Sequence, residues 1–318
     1  MGVKSPVADL LATKPSIILD GALATELEAR NLDLSSALWS AAILRDSPDA
    51  IYQVHLDYFR AGADVAITAS YQATPQGMQQ HLGLSADRSR ELIKRSVELA
   101  QRARDTVLEE EQSTSGKPRT LLVAGSVGPY GAYLSNGSEY RGDYSLPNAE
   151  TRAFHRARIQ TLVDSGVDLL ALETMPSFSE ISSLLELLEE EFTTITAWVS
   201  CTLRDAEHLS DGTPMADVAA ACNNSPQVSA LGVNCIPEQS TLAALEHLKT
   251  LTKKPLLAYP NSGEEWDAEK RAWRGERAQG RTLAQVVTEW SQKGGARLIG
   301  GCCRTKPADT EVIKDVLP

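Results

Sequence analysis

The run DLLALETM (Asp168–Met175) decides the fold. Behind it stands a Ser165-Gly166 stop, and ahead lies the helical pattern FSEISSLLELLEEEF (Phe178–Phe192). A short, nearly continuous apolar run of this kind reads as a parallel strand covered on both faces. The same pattern recurs in SIILDG (Ser16–Gly21), DVAITAS (Asp64–Ser70), TLLVAGSVGP (Thr120–Pro129) and TAWVSCT (Thr196–Thr202). It appears again in SALGVNC (Ser229–Cys235), PLLAYPN (Pro255–Asn261) and RLIGGCC (Arg297–Cys303).

Helical patterns fill the gaps. The longest covers residues 85–111, where Leu92, Val97, Leu99 and Val107 recur near helical spacing, and others cover 148–166 and 282–295. Ala61-Gly62-Ala63 and Gly294-Gly295 supply further stops. Strands alternating with helices eight times predict an α/β fold, a (β/α)8 TIM barrel, as one domain over residues 1–318. The competing doubly wound sheet would place a GxGxxG turn after its first strand, and none follows Ser16–Gly21. Two connections are long and polar, Tyr130–Asn148 and Ser262–Arg281. Both leave C-terminal strand ends, the face where barrels place active sites.

A chain of 318 residues that is 42% hydrophobic can bury a large core. Its formal charge of −11 argues against nucleic acid, which needs clustered Lys and Arg. No apolar run reaches the ~18 residues of a membrane span, and the first residues lack the apolar stretch of a signal peptide. Pro6 stands where a myristoylation pattern wants Ser or Thr. A cytoplasmic protein is the expectation. Five cysteines in such a chain point to metal or catalysis before disulfides.

Three of those cysteines end strands: Cys235 after the sixth run, Cys302 and Cys303 after the eighth. A barrel gathers all its strand ends on one rim, so distance along the chain is no obstacle. Vicinal cysteines resist pairing with each other, yet both can reach one ion. Three soft thiolates suit Zn2+ and leave a fourth position open, the arrangement of a catalytic site. Such an ion activates water poorly but takes a further thiolate readily, which points to thiol alkylation. Cys201 and Cys222 lack such company and read as structural.

At these residues the chain resembles the homocysteine S-methyltransferases. The resemblance runs from DGALATEL (Asp20–Leu27) through TASYQAT, GSVGPYGAYLSNGSEYRGDY, LLALETMPS, GVNC and YPNSGEEWD to GGCC (Gly300–Cys303). It implies a zinc ion on the rim of a barrel, held by Cys235, Cys302 and Cys303, and methyl transfer to homocysteine giving methionine. The 130–144 loop is similar to the branch that takes S-methylmethionine or S-adenosylmethionine as donor. Betaine-using relatives carry a C-terminal extension, and this chain stops fifteen residues past Cys303.

Homocysteine carries an ammonium and a carboxylate. Asp20 and Glu173, acidic residues set in apolar strands, are expected to hold the ammonium. Gly21 is expected to let backbone amides approach the carboxylate. Thr68 and Tyr71 are candidates for the thiol or donor pocket, and Asn234 and Asn261 for substrate or for orienting a zinc thiolate. Tyr130, Tyr133, Tyr140 and Trp266 are candidates to face a sulfonium cation. Two rivals stand beside this reading. A Schiff-base aldolase would want a lysine at a strand end, and no run has one. A zinc-thiolate or redox-sensing protein would leave Asp20 and Glu173 without a task.

Overall fold

The computed structural model describes residues 3–34, 38–263, 265–267, 272–274 and 281–317. All eight expected runs are strands: β1 (Ile17–Ile18), β2 (Val65–Ile67), β3 (Leu122–Val127), β4 (Leu169–Met175), β5 (Ala197–Cys201), β6 (Val228–Asn234), β7 (Leu256–Tyr259) and β8 (Ala296–Ile299). They form one parallel sheet in the order β1, β8, β7, β6, β5, β4, β3, β2. A parallel bridge between Leu19 and Val65 joins its two edges and closes the barrel.

Helices pack outside. The long pattern becomes a helix from Ala86 to Ser115, N-capped by the Ser85 hydroxyl. Gly62, Gly166 and Gly295 hold left-handed conformations at the expected helix stops. Between barrel and helices lies one large apolar layer. Inside the barrel lies a second, built from Ile17, Leu19, Val65, Leu122, Ala124, Leu169, Ala171, Trp198, Ala230, Leu257, Tyr259 and Leu298. The N-terminal helix Pro6–Leu11 buries Val7 and Leu10 against this inner cluster. Asp64 fastens the same end of the barrel, accepting from Ile18 N at 2.8 Å and Lys14 Nζ at 2.6 Å.

Strand side chains alternate, so inward positions recur every second residue. Leu169 and Ala171 point inward, and the next inward residue is Glu173. In β3 the same parity leads from Leu122 and Ala124 to Ser126. The polar upper layer of the barrel follows from this period alone.

The long connections are more ordered than their composition suggests. Residues 130–148 contain a helix, Tyr130–Leu134, and a 3-10 turn, Ser138–Tyr140. After β7, Glu265–Asp267 and Ala272–Arg274 pair as an antiparallel hairpin, while the side chain of Trp266 lies outside the described residues. Among the described residues no helix is long and apolar enough to cross a membrane.

Candidate active site

The three rim cysteines meet because β7 stands between their strands. Tyr259 O accepts from Cys235 N at 3.2 Å, Pro260 O accepts from Cys302 N at 2.8 Å, and Ser262 N donates to Cys303 O at 3.1 Å. Gly300 and Gly301 permit the last turn of chain. A Cβ on Gly300 would lie 2.7 Å from Asp20 O, and one on Gly301 2.4 Å from Thr305 Oγ1. Cys235 itself is left-handed, φ 50°, which is uncommon for a residue with a side chain.

The three Sγ atoms lie within 4.8 Å of one another. Cys235 and Cys302 are joined as a disulfide, S–S 2.23 Å, and Cys303 Sγ stands 4.0 Å from each. Three free thiolates were the sequence expectation, and here two of the sulfurs are bonded instead. Metal ligation and this bond draw on the same pair, so only the reduced pair offers three ligands. Zn–S bonds of about 2.3 Å place tetrahedral sulfurs roughly 3.8 Å apart. The two 4.0 Å edges already match that spacing, and opening the disulfide frees the third. A soft, thiophilic ion therefore fits this donor set. Burial pushes the Cys303 thiol up to about 12, with Glu28, Glu139 and Glu173 adding to the rise.

Glu173 and Asp20 face the same region. Burial raises Glu173 to about 7 against hydrogen bonds from Ser126 and Tyr259 and the pull of Arg158. Ser126 Oγ donates to Glu173 Oε1. Tyr259 Oη in turn accepts from Trp198 Nε1 at 3.1 Å and pairs with Ser200 Oγ. Asp20 accepts from Ile67 N at 2.8 Å. Burial first, and then the Glu173 charge, lift its ionisation well above the carboxylate range. Two buried carboxylates, one of them raised by the charge of the other, form a site for a cation. Ser126, Ser200, Tyr259 and Trp198 were missed in the sequence, where each passes for strand packing.

Other expected residues hold different posts. The Thr68 hydroxyl accepts from Ser126 N at 3.0 Å and lies 2.8 Å from Ser70 Oγ, so it braces β3 and is not free for a ligand. Both amide atoms of Asn234 engage Thr174: Oδ1 accepts from its N at 2.7 Å and Nδ2 donates to its hydroxyl at 2.8 Å. Thr174 is left-handed, φ 57°, where the β4–β5 register shifts. Asn234 thus clamps the backbone beside Glu173. A Cβ on Gly21 would meet Thr305 Oγ1 at 2.7 Å and Tyr58 Oη at 2.8 Å, so this glycine admits packing from behind. Asn261 Oδ1 is buried without a partner among the described residues, and Asn261 lines a small cavity of about 10 Å³ with Glu238, Thr305 and Asp309.

Of the aromatic candidates, Tyr130 and Tyr133 pack with each other and with Phe154. Their centroids are 5.4 Å apart, Phe154 lies 5.0 Å from Tyr130, and Tyr133 Oη bonds Gln80. Burial, and after it the nearby Cys303 and Glu139, raise the Tyr140 phenol well above its usual range. Tyr71 bonds Thr174, and its ring fills the place of a Gly128 side chain, 2.6 Å from where a Cβ would sit.

A buried ionic network, absent from the sequence reading, supports this wall. Arg158, fully buried, donates to Tyr71 O at 2.8 Å, Gly128 O at 2.6 Å and His155 Nδ1 at 2.9 Å. His155 Nε2 meets Glu180 Oε1 at 2.7 Å, and that oxygen also accepts from Tyr130 N at 2.7 Å. Tyr144 Oη donates to the other carboxylate oxygen.

This arrangement has close counterparts among known proteins. The homocysteine S-methyltransferase family profile matches residues 17–317. The chain is 54% identical to the homocysteine S-methyltransferase of Escherichia coli (strain K12), over 99% of both chains. It is 47% identical to homocysteine S-methyltransferase YbgG of Bacillus subtilis (strain 168), over 97% of this chain and 96% of that one. The homocysteine methyltransferase MmuM from Escherichia coli superposes in its metallated form with a TM-score of 0.88 and 52% identity, covering 98% of this chain and 99% of that one. Its oxidized form superposes equally well, with a TM-score of 0.88. With its barrel, its rim cysteines and nearly its whole length matched, the chain belongs to the homocysteine S-methyltransferase family.

Proposed function

We propose that this protein moves a methyl group from a sulfonium donor, S-methylmethionine or S-adenosylmethionine, to the thiol of homocysteine, with Zn2+ held by Cys235, Cys302 and Cys303. The observation that carries the reading is the meeting of three sulfurs from two strands within 4.8 Å, on the rim that also holds Asp20 and Glu173. Zinc bound there would lower the pKa of the incoming thiol and keep its sulfur a thiolate at neutral pH.

The chain's own residues do the rest. Asp20 and Glu173 take the homocysteine ammonium between them, which returns to both carboxylates the counter-charge that burial denies them. Ser126 and Tyr259 fix Glu173, and Ile67 N fixes Asp20. Tyr71 and Tyr140 shape the wall against which the donor lies. In the transfer, the homocysteine sulfur forms its bond to the methyl carbon as the donor's C–S bond breaks, and the released pair stays on the donor sulfur. The products are methionine and the demethylated donor. Orientation and exclusion of water supply the rate, and no protein base is required. A site that needs three reduced thiols suits the cytoplasm.

The Cys235–Cys302 bond is the one observation that favours a thiol switch without methyl transfer. One experiment separates the readings. Reduced, zinc-loaded protein is given homocysteine with S-methylmethionine, S-adenosylmethionine or betaine, and methionine is followed. Methionine from a sulfonium donor is expected, and none from any donor overturns the proposal. Zinc content should fall towards zero in Cys302→Ser, and full retention would refute the ligand set.

A further inference from the structure

Glu139 is a carboxylate that none of the roles above uses. It sits in the 3-10 turn Ser138–Tyr140. The turn is pressed onto the preceding helix at Gly131, where a Cβ would lie 2.6 Å from Glu139 N and 2.8 Å from Ser138 C. Burial raises Glu139, and backbone N–H groups of Glu139 and Gly137 with the Arg141 charge offset part of that rise, yet its Oε2 is buried and has no hydrogen-bond partner among the described residues. The nearby cation, Arg141, pulls on the Glu139 charge but makes its hydrogen bonds elsewhere: its Nε bonds Asp143 Oδ2 at 2.7 Å, and its Nη atoms bond Asn136 O at 3.1 Å and Ser138 Oγ at 3.3 Å.

Buried carboxylate oxygens are seldom left without a partner, because the lost hydration has nothing to replace it. The surroundings show what is missing. Burial comes first, and the Glu139 charge is among the further causes that raise Tyr71, Tyr140 and Cys303, so this carboxylate lies near the two phenols and the Cys303 sulfur. Asp20 and Glu173 already suffice for one ammonium. A third carboxylate on the same rim calls for a second cation.

We infer that Glu139 is the anionic recognition group for the cationic methyl donor, acting with the faces of Tyr71 and Tyr140 beside Cys303; this rests on the sulfonium-donor reading above. A sulfonium has a permanent charge and no N–H, so it is held by charge and by aromatic faces, not by hydrogen bonds. The methyl must arrive next to the sulfurs, which places the donor's charge where Glu139 and the phenols converge. After transfer the donor sulfur is neutral, the attraction to Glu139 is lost, and release of product is favoured.

Zinc-loaded wild type, Glu139→Gln and Glu139→Asp are compared for KM of S-methylmethionine, KM of homocysteine and kcat, with calorimetric titration of S-methylmethionine as a readout independent of turnover. Glu139→Gln keeps shape and loses charge. It should raise the donor KM and weaken donor binding by roughly 10- to 100-fold, as loss of a desolvated charge pair does. Homocysteine KM should stay within about twofold, and Glu139→Asp should recover part of the donor affinity. An unchanged donor KM in Glu139→Gln overturns the inference, as does an equal rise for both substrates. Turnover of wild type with S-methylmethionine is measured first: if there is none, the parent reading fails and takes this inference with it.

Discussion

Replacing Arg158 by Met tests whether the buried network holds the rim. Methionine roughly fills the volume but leaves three acceptors, Tyr71 O, Gly128 O and His155 Nδ1, without their donor. Each stranded buried acceptor costs about 1–3 kcal/mol, and breaking a buried ion pair costs about 3–5. Some of this is offset, because burial already pulls the guanidinium down to about 10. That shift alone is a penalty of roughly 3 kcal/mol on the charged form, at 1.36 kcal/mol per unit. A net loss of about 4 kcal/mol is expected, or a fall in Tm of roughly 8 °C at about 2 °C per kcal/mol for a chain of this size.

The pH dependence makes the test sharper. His155 is held below its usual range first by burial and also by Arg158, while Glu180 pulls it up. A depressed histidine leaves the unfolded state binding more protons, so its share of stability is present above about pH 6.5 and lost as pH falls. Without Arg158 the depression lessens, so the gap between variant and wild type should narrow on the acid side. Unfolding of wild type, Arg158→Met, Glu180→Gln and the double variant at several pH values measures both effects. The double variant should cost less than the sum of the singles by about 2 kcal/mol. A loss under about 1 kcal/mol in Arg158→Met, or strict additivity, would refute the network.

Three further outcomes are expected. His55 has no partner on either nitrogen among the described residues, and burial pushes it down to about 4. Wild type should therefore lose up to about 3 kcal/mol between pH 6.5 and 4, and His55→Leu should flatten that limb; parallel Tm–pH curves would count against it. Gly232→Ala would place a Cβ 1.8 Å from Leu257 O, so soluble, folded protein should be largely lost, and a normal Tm would show that β6 and β7 can part. Asn234→Ala frees the left-handed Thr174 beside Glu173 and loosens the neighbouring Cys235, so kcat/KM should fall roughly tenfold or more; full activity would separate the clamp from function.

The strands were legible because a strand covered on both faces must be apolar throughout, and the glycine stops fell where left-handed caps form. The cysteines were legible because strand ends share one rim. What stayed hidden was the use each polar group makes of its neighbours. Thr68 and Asn234 carry the right chemistry for a ligand, yet their atoms are engaged by Ser126 and Thr174 on adjoining strands. Arg158, His155 and Glu180 lie on helices, where polar residues read as a solvated face. Only the packing of those two helices against each other and the rim turns that face inward. The disulfide between Cys235 and Cys302 has no mark in the chain, because spacing does not tell a ligand pair from a bonded one.

Two left-handed residues on the rim stand in register with function. Cys235 follows Asn234, and Thr174 follows Glu173. Asn234 binds both Thr174 N and its hydroxyl, so the chain that presents a sulfur and the chain that presents a carboxylate are held by one amide. Left-handed conformations of residues with side chains cost of order 1–3 kcal/mol and persist only where the surroundings over-determine them. Here the surroundings are the two hydrogen bonds of that amide and the grip of Tyr259 O on Cys235 N. Tyr259 also bonds Glu173 through its phenol. The sulfur site and the carboxylate site are therefore set by the same two residues, Asn234 and Tyr259. Any change that relaxes one of them should move both, which is why a shift in homocysteine geometry is expected even from substitutions that leave all three cysteines in place.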